Sequence, residues 1–184
     1  MPFDHFGFIA PVYARAGEYS GLPIMLRVAD LPAKGSLLDV GGGTGRVARC
    51  LREHVDQIVV ADVSLGMLRF AASIPGLQVA ASASERLPFP SNSFASVMIV
   101  DALHHVADYA QTAAELWRVL QPGGRIVIQD PDIRTFGVKL VALAEKLLLM
   151  RSYFLSPPQI ADLFPQAQTE IYTEDASAWV VIKK

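Results

Sequence analysis

Cysteine is almost missing from this chain. Cys50 is the only one among 184 residues, so no disulfide can form within the chain and no cysteine metal cluster can be built. It sits in an apolar-periodic stretch, where a small buried hydrophobe is the plain use of a thiol. Charge is sparse as well: 18% of residues are charged, 16 basic against 18 acidic, for a formal net charge of −2. No cluster of Lys or Arg is longer than the terminal Lys183-Lys184, which argues against a nucleic-acid partner gripped through its phosphates. No uninterrupted apolar run reaches the roughly 18 residues of a membrane span. The opening Met1-Pro2-Phe3-Asp4-His5 has no basic head followed by a long apolar stretch, so no secretory leader is expected. A cytoplasmic protein without a transmembrane segment is the simplest reading.

What the chain does have is apolar residues, 52% of the total, enough for a sheet covered on both faces. A chain of this length can bury about 70% of its unfolded surface, so one domain over residues 1–184 suffices. Short apolar runs alternate with helix-length segments. Ser36–Val40, Gln57–Asp62, Leu77–Ala81, Ser96–Val100 and Arg125–Gln129 read as strands, and Arg46–His54, Leu65–Ile74 and Tyr109–Leu120 as helices between them. Such alternation predicts an α/β fold with a parallel, doubly wound sheet. Val138–Met150 has helical spacing. Ser156, with Gln159 three residues on, starts a further helix, and Gln168–Tyr172 and Ala178–Lys183 form a closing hairpin.

The densest signal is Asp39-Val40-Gly41-Gly42-Gly43-Thr44-Gly45 directly after the first strand, with Asp62 ending the second strand seventeen residues later. Glycines at that place let backbone N–H groups approach a ligand closely. An acid at the end of the next strand can accept hydrogen bonds from a ribose diol. A dinucleotide fold requires Gly-x-Gly-x-x-Gly beside a pyrophosphate. Counted from Gly41 or Gly43, the third glycine position holds Arg46 or Ala48, so a nicotinamide-dependent dehydrogenase is disfavoured. Asp39, two residues ahead of Gly41, would repel a pyrophosphate and suits a ligand carrying an ammonium group. Thr44 is placed to cap the helix that the loop opens.

Taken in order, Asp39-x-Gly41-x-Gly43-x-Gly45, Asp62, Leu87-Pro88-Phe89-Pro90 with Ser93-Phe94, Leu103-His104-His105 and Glu115 through Gly124 resemble the class I S-adenosylmethionine-dependent methyltransferases. The small-molecule enzymes that include the quinone-biosynthesis group are the most similar. The resemblance implies a Rossmann-like sheet of seven strands, mostly parallel with an antiparallel C-terminal hairpin. It divides the chain into an aromatic cap segment (1–30), a cofactor-binding core (35–130) and late helices with the hairpin (131–184). S-adenosylmethionine is then the cofactor and S-adenosylhomocysteine the product. The loop residues Gly41, Gly42, Gly43 and Gly45 act through backbone geometry, Asp39 faces the methionine ammonium and Asp62 takes the ribose hydroxyls. Val63 and Met67 pack against adenine. Relatives often show Gly-Asp-Ala before the Leu-Pro-Phe element, with the Asp on the adenine amino group; here the run is Ser82-Ala83-Ser84, and a serine hydroxyl becomes the neutral substitute.

Methyl transfer from a sulfonium is an in-line displacement that mainly needs alignment and exclusion of water. A phenol or amine acceptor adds the need for a base. Asp101, His104 and His105 stand where the fourth strand opens into the expected crevice, and a histidine there titrates near neutrality. A metal is not expected, because no further ligand follows the His pair at zinc spacing. Phe3, Phe6, Phe8, Tyr13 and Tyr19 at one end, with Arg134, Phe136, Arg151, Tyr153 and Phe154 at the other, would wall an apolar acceptor pocket. Their alternative use is to cover a sheet end or a homodimer contact. Asp101 is followed by Ala102-Leu103-His104 and not by the Pro-Pro-Tyr of DNA amino-methyltransferases, and the cysteines of arsenic methylation are missing. Two readings stand: a methyltransferase acting on a small, apolar or aromatic acceptor, and a non-catalytic S-adenosylmethionine-binding subunit that needs a partner.

Overall fold

The computed structural model describes residues 7, 10, 11, 17, 19–31, 33–140 and 152–184. Its centre is a seven-stranded sheet in the order β3-β2-β1-β4-β5-β7-β6. The strands are β1 (Ser36–Val40), β2 (Gln57–Asp62), β3 (Leu77–Ala81), β4 (Phe94–Val100), β5 (Leu120–Pro131), β6 (Gln168–Glu174) and β7 (Ser177–Lys183). β1 through β5 pair in parallel, and β7 runs antiparallel to both β5 and β6. The α/β class, the seven strands and the antiparallel end agree with the expectation.

The apolar runs are nearly continuous because both faces of the inner strands are covered, while the side chains still alternate between two cores. Leu38, Val40, Val59, Ala61, Val97, Ile99, Ile126 and Ile128 point to one face, where Leu116 and Val119 of the helix Tyr109–Val119 pack. Leu37, Ile58, Val60, Met98, Val127, Trp179 and Val181 point to the other, against Met25 and Val28 of the helix Leu22–Val28 and Leu51 of the helix Ala48–Leu51. β6 is exposed along its whole length, and its Glu170 pairs with Lys183 of β7, the charged edge that discourages further strand addition.

Three local expectations need correction. The segment expected to be helical from Arg46 to His54 is regular only over Ala48–Leu51, with Val47 as its N-cap. Thr44 therefore caps nothing; Gly45, with φ of 75°, is still in a left-handed turn whose N–H donates to Gly42 O. β5 starts at Leu120, five residues earlier than expected, because Leu120 pairs with Phe94 before the register with β4 shifts and resumes with Ser96 opposite Arg125; Gly123 with φ of 80° lies in that irregular stretch. The closing hairpin turns tightly at Asp175, itself left-handed with φ of 53°, so its strands are longer than the sequence suggested. Ser156 does start the helix Pro157–Asp162, its N–H and hydroxyl both donating to Gln159 Oε1. Residues 136–140 are helical, and the rest of the Val138–Met150 expectation lies outside the described residues, as do Phe3, Phe6, Phe8, Tyr13 and Arg151.

Leu116 is fully buried under β4 and β5. Leu116→Ala should therefore cost about 2–5 kcal/mol, read as a lowered midpoint in urea or thermal unfolding.

Candidate functional site

Strand order reverses between β1 and β4, and a crevice opens beyond their carboxyl ends, where ligands bind in sheets of this kind. It encloses about 610 Å³, within the usual range for a small-molecule site. Of the cofactor-binding and catalytic candidates from the sequence, all but one line it: Asp39, Gly41, Gly42, Gly43, Asp62, Val63, Met67, Ser82, Ala83, Ser84, Asp101, His104 and His105; of the proposed aromatic wall, Tyr19, Tyr153 and Phe154 do not. Gly45 stands behind it. A Cβ at Gly45 would meet Leu77 Cδ1 at 2.8 Å and Ala71 Cβ at 3.3 Å, so this glycine allows close packing of the turn on its neighbours.

Asp39 dominates the floor. It is 1% exposed, and both carboxylate oxygens lack a hydrogen-bond partner among the described residues. Burial, reinforced by the negative charge of Asp62, pushes its carboxyl up to about 7. A Cβ on Gly42 would lie 2.4 Å from Asp39 Oδ2, so the glycine is what lets the loop cross this carboxylate. Asp62 is held differently. Gly43 N–H donates to its Oδ2 at 2.9 Å and Ser64 N–H to its Oδ1 at 2.8 Å, which ties the end of β2 to the glycine loop.

At the opposite wall Asp101 ends β4 with φ of 53°, a left-handed conformation that costs a non-glycine residue energy and recurs at functional sites. Its carboxyl is raised by burial, while Arg46, 3.7 Å away, pulls it down. Arg46 also lies over the ring of Tyr19, 5.7 Å from its centroid. Tyr19 is buried, and its hydroxyl donates to Gln129 Oε1.

Beyond Asp101 the turn Leu103–His105 brings both histidines to the crevice. His104 Nδ1–H donates to Asp130 Oδ1 at 2.8 Å, and its ring stacks on Phe154 with centroids 4.4 Å apart. His105 Nδ1 shares a hydrogen bond with Ser152 Oγ at 3.2 Å. Burial, with His104 adding to it, lowers His105 to about 4, so it is neutral at physiological pH. Burial raises Asp130, against the pull of its bond to His104.

At the far end Ser84 Oγ is engaged by Thr112 Oγ1 and Glu85, whereas Ser82 Oγ is buried with no partner among the described residues. Val63 is 67% exposed and Met67 4%, so the two sit at the rim and in the wall. Arg134 is engaged by Asp132 through a fork of hydrogen bonds; neither Arg134 nor Phe136 lines the crevice.

Sequence reasoning missed Arg46 as a lining residue, and it missed Asp130. For Asp130 the signal existed: an acid closing an apolar strand, as at Asp39, Asp62 and Asp101. No sequence pattern linked Phe154 or Ser152 to the His pair, because that contact spans 47 residues from His105 to Ser152.

Comparison with known proteins gives this geometry its class. Residues 38–128 match a family model described as a methyltransferase domain, so this segment belongs to that family and, with it, to the class I S-adenosylmethionine-dependent methyltransferases. The cofactor of that class is S-adenosylmethionine, and S-adenosylhomocysteine is what remains after transfer. The demethylmenaquinone methyltransferase of Thermus thermophilus is 38% identical over 112 residues, 55% of this chain and 51% of that protein. The ubiquinone/menaquinone biosynthesis C-methyltransferase UbiE of Hahella chejuensis is 34% identical over 108 residues, 53% of this chain and 43% of that one. The chain spans about half the length of the curated relatives it matches. In fold it is similar to the PH0226 protein of Pyrococcus horikoshii, with a TM-score of 0.80 at 19% identity over 98% of this chain and 99% of that one. It is also similar to YcgJ of Bacillus subtilis, with a TM-score of 0.73 at 23% identity over 83% and 70%. No helix among the described residues is long and apolar enough to cross a membrane.

The state of Asp39 yields a stability prediction. A carboxyl whose pKa rises from 3.8 unfolded to about 7 folded favours the folded chain when protonated and opposes folding progressively as pH rises from about 4 through 7. Asp39→Asn should stabilise the ligand-free protein at pH 8 by up to about 4 kcal/mol, read as a raised thermal midpoint. At pH 4 the same substitution should give no gain. Melting curves of both proteins across that range check it; an equal effect at both pH values would mean that Asp39 carries no unpaired charge.

Proposed function

We propose that this chain transfers a methyl group from S-adenosylmethionine to a small acceptor held in the crevice beyond β1 and β4. The observation that carries the reading is the buried, unpartnered carboxylate of Asp39 beneath the glycine loop. An unpaired buried charge is costly, and an ammonium group brought by a ligand would turn that cost into a charge-assisted contact.

The residues present fit this cofactor. Asp39 would take the ammonium, directly or through water. Backbone groups of Gly41, Gly42 and Gly43 would approach the amino-acid end. Asp62, already oriented by two backbone N–H groups, would take the ribose hydroxyls, while Val63 and Met67 would flank adenine. Ala83 stands in sequence where relatives place an acid, and the hydroxyl of Ser82 beside it, buried and without a partner among the described residues, is the neutral substitute. When bound, the cofactor supplies an electrophilic methyl on a positively charged sulfur. The protein's part is to align the acceptor with it and to keep water out. Asp101, His104 and His105 face the acceptor side, and the choice among them decides whether a proton can be removed.

The acceptor is read as small and apolar or aromatic, in keeping with the names of the quinone-related relatives and with a crevice of about 610 Å³. A cytoplasmic setting goes with this reading, because a lone cysteine needs no oxidising compartment. Phe136 and Tyr153, 76% and 70% exposed, are the surface that a homodimer would cover.

Calorimetric titration with S-adenosylmethionine, S-adenosylhomocysteine and NAD tests the reading. Micromolar binding of both adenosyl ligands and none of NAD is expected. In Asp62→Ala the affinity should fall at least tenfold, since hydrogen bonds to a charged acceptor contribute about 1.5–3 kcal/mol each. A folded wild-type protein that binds neither adenosyl ligand would end the proposal.

A further inference from the structure

We infer that His104 is a general base held in one orientation by Asp130, and that the acceptor therefore carries a weakly acidic hydroxyl, as in a phenol or enol. The inference rests on the methyl-transfer reading and narrows it. A sulfonium methyl needs no base when the acceptor is already nucleophilic, so a buried imidazole fixed by a carboxylate at the acceptor wall is surplus unless a proton must leave.

The ring is fixed on several sides. Asp130 Oδ1, 2.8 Å from Nδ1, selects the tautomer with hydrogen on Nδ1, and the ring itself lines the crevice. That leaves Nε2 as the nitrogen for a bound acceptor. Phe154 stacks almost parallel to the ring, at 11°. The backbone is held too: Tyr153 N–H donates to His104 O at 2.8 Å, and Tyr109 Oη–H donates to Tyr153 O at 2.5 Å. Asp130 is 2% exposed, and its second oxygen has no partner among the described residues. It does not line the crevice; it acts through His104 and is a positioning residue. The other titratable groups around the ring are Asp101, His105 and Tyr109. His105 is the weaker base, with its Nδ1 engaged by Ser152 and its imidazole lowered to about 4. Asp101 is drawn toward Arg46 at 3.7 Å.

The step is a proton transfer. The hydroxyl proton moves to Nε2, the O–H electron pair stays on oxygen, and the imidazolium so formed is stabilised by Asp130. The phenolate or enolate is then the nucleophile. As its new bond to the methyl carbon forms, the carbon–sulfur bond breaks and that pair stays on sulfur. The imidazolium returns its proton to solvent when the product leaves.

Two measurements on the full chain test this, one with S-adenosylhomocysteine bound and one in turnover with S-adenosylmethionine. Nitrogen-detected NMR of the imidazoles should show His104 at pH 7.5 with hydrogen on Nδ1 and none on Nε2. Asp130→Asn should shift it toward the other tautomer. In turnover, catechol serves as the un-ionised acceptor and 4-nitrophenol as one already ionised at pH 8. His104→Gln should slow catechol methylation about 100-fold or more and leave 4-nitrophenol nearly untouched, with the affinity for S-adenosylhomocysteine within twofold of wild type. Asp130→Glu should recover part of the rate that Asp130→Asn loses. A proton resident on Nε2 in the wild type, or an equal rate loss for both phenols, would overturn the inference. Loss of S-adenosylhomocysteine binding in the wild type would instead remove the methyl-transfer reading on which it depends.

Discussion

A single buried carboxylate, unpartnered among the described residues, organises the ligand-facing half of this structure. Asp39 is the next-to-last residue of β1, between β2 and β4 where the strand order reverses, and both of its oxygens are shut away from water. Such a group is tolerated only where its surroundings are built around it. Gly42 has no side chain because a Cβ would fall on the carboxylate. Asp62 nearby is neutralised in part by backbone N–H groups of the loop and of Ser64. The loop is thus drawn over one acid and tied to the next. The outcome is a concave surface with negative potential at its base and backbone donors at its rim, suited to a ligand that is cationic at one end and carries hydroxyls at the other.

The opposite wall uses the same strand-end logic for a different purpose. β4 and β5 end in Asp101 and Asp130, one residue from each strand, and the turn after β4 lays His104 between them. Asp101 N–H donates to Gln129 O at 2.9 Å, so the left-handed kink at Asp101 is stitched to β5 before the turn begins. The crevice therefore has two ends set by one sheet, one lined from β1 and β2 and the other from β4, the turn after it and the end of β5. Segment 152–154 closes on the second end through contacts that skip far along the chain.

Much of this was legible in the sequence because it rests on short-range patterns. β1 and β2 fall at their expected bounds, since a buried parallel strand reads as an apolar run; β3 does so too, although it is the partly exposed edge strand. Spacing alone singles out Asp39, Gly41, Gly42, Gly43 and Asp62, which the fold gathers at one crevice, because close backbone approach restricts which residues fit. Gly45 belonged to the same pattern yet faces Leu77 and Ala71, since sequence density does not distinguish a glycine needed for a ligand from one needed for packing. Thr44 looked like a cap because helix starts were inferred from residue type, and the left-handed Gly45 delays the helix to Ala48. Asp130 stayed hidden, and Phe154, expected in a pocket wall, gave no sign of its stacking on His104, for another reason: their meaning lies in which strands are neighbours and which segment folds back, and that is a tertiary fact.

The central claim is that Asp39 waits, partly protonated, for a ligand ammonium. The most direct measurement is calorimetric titration of the wild-type protein with S-adenosylhomocysteine at pH 7, in buffers of different ionisation enthalpy. With its carboxyl near 7 in the free protein, pairing with an ammonium should drive off on the order of half a proton per ligand bound. That release should vanish in Asp39→Asn. Binding that releases no proton, or release that survives the substitution, would contradict the account.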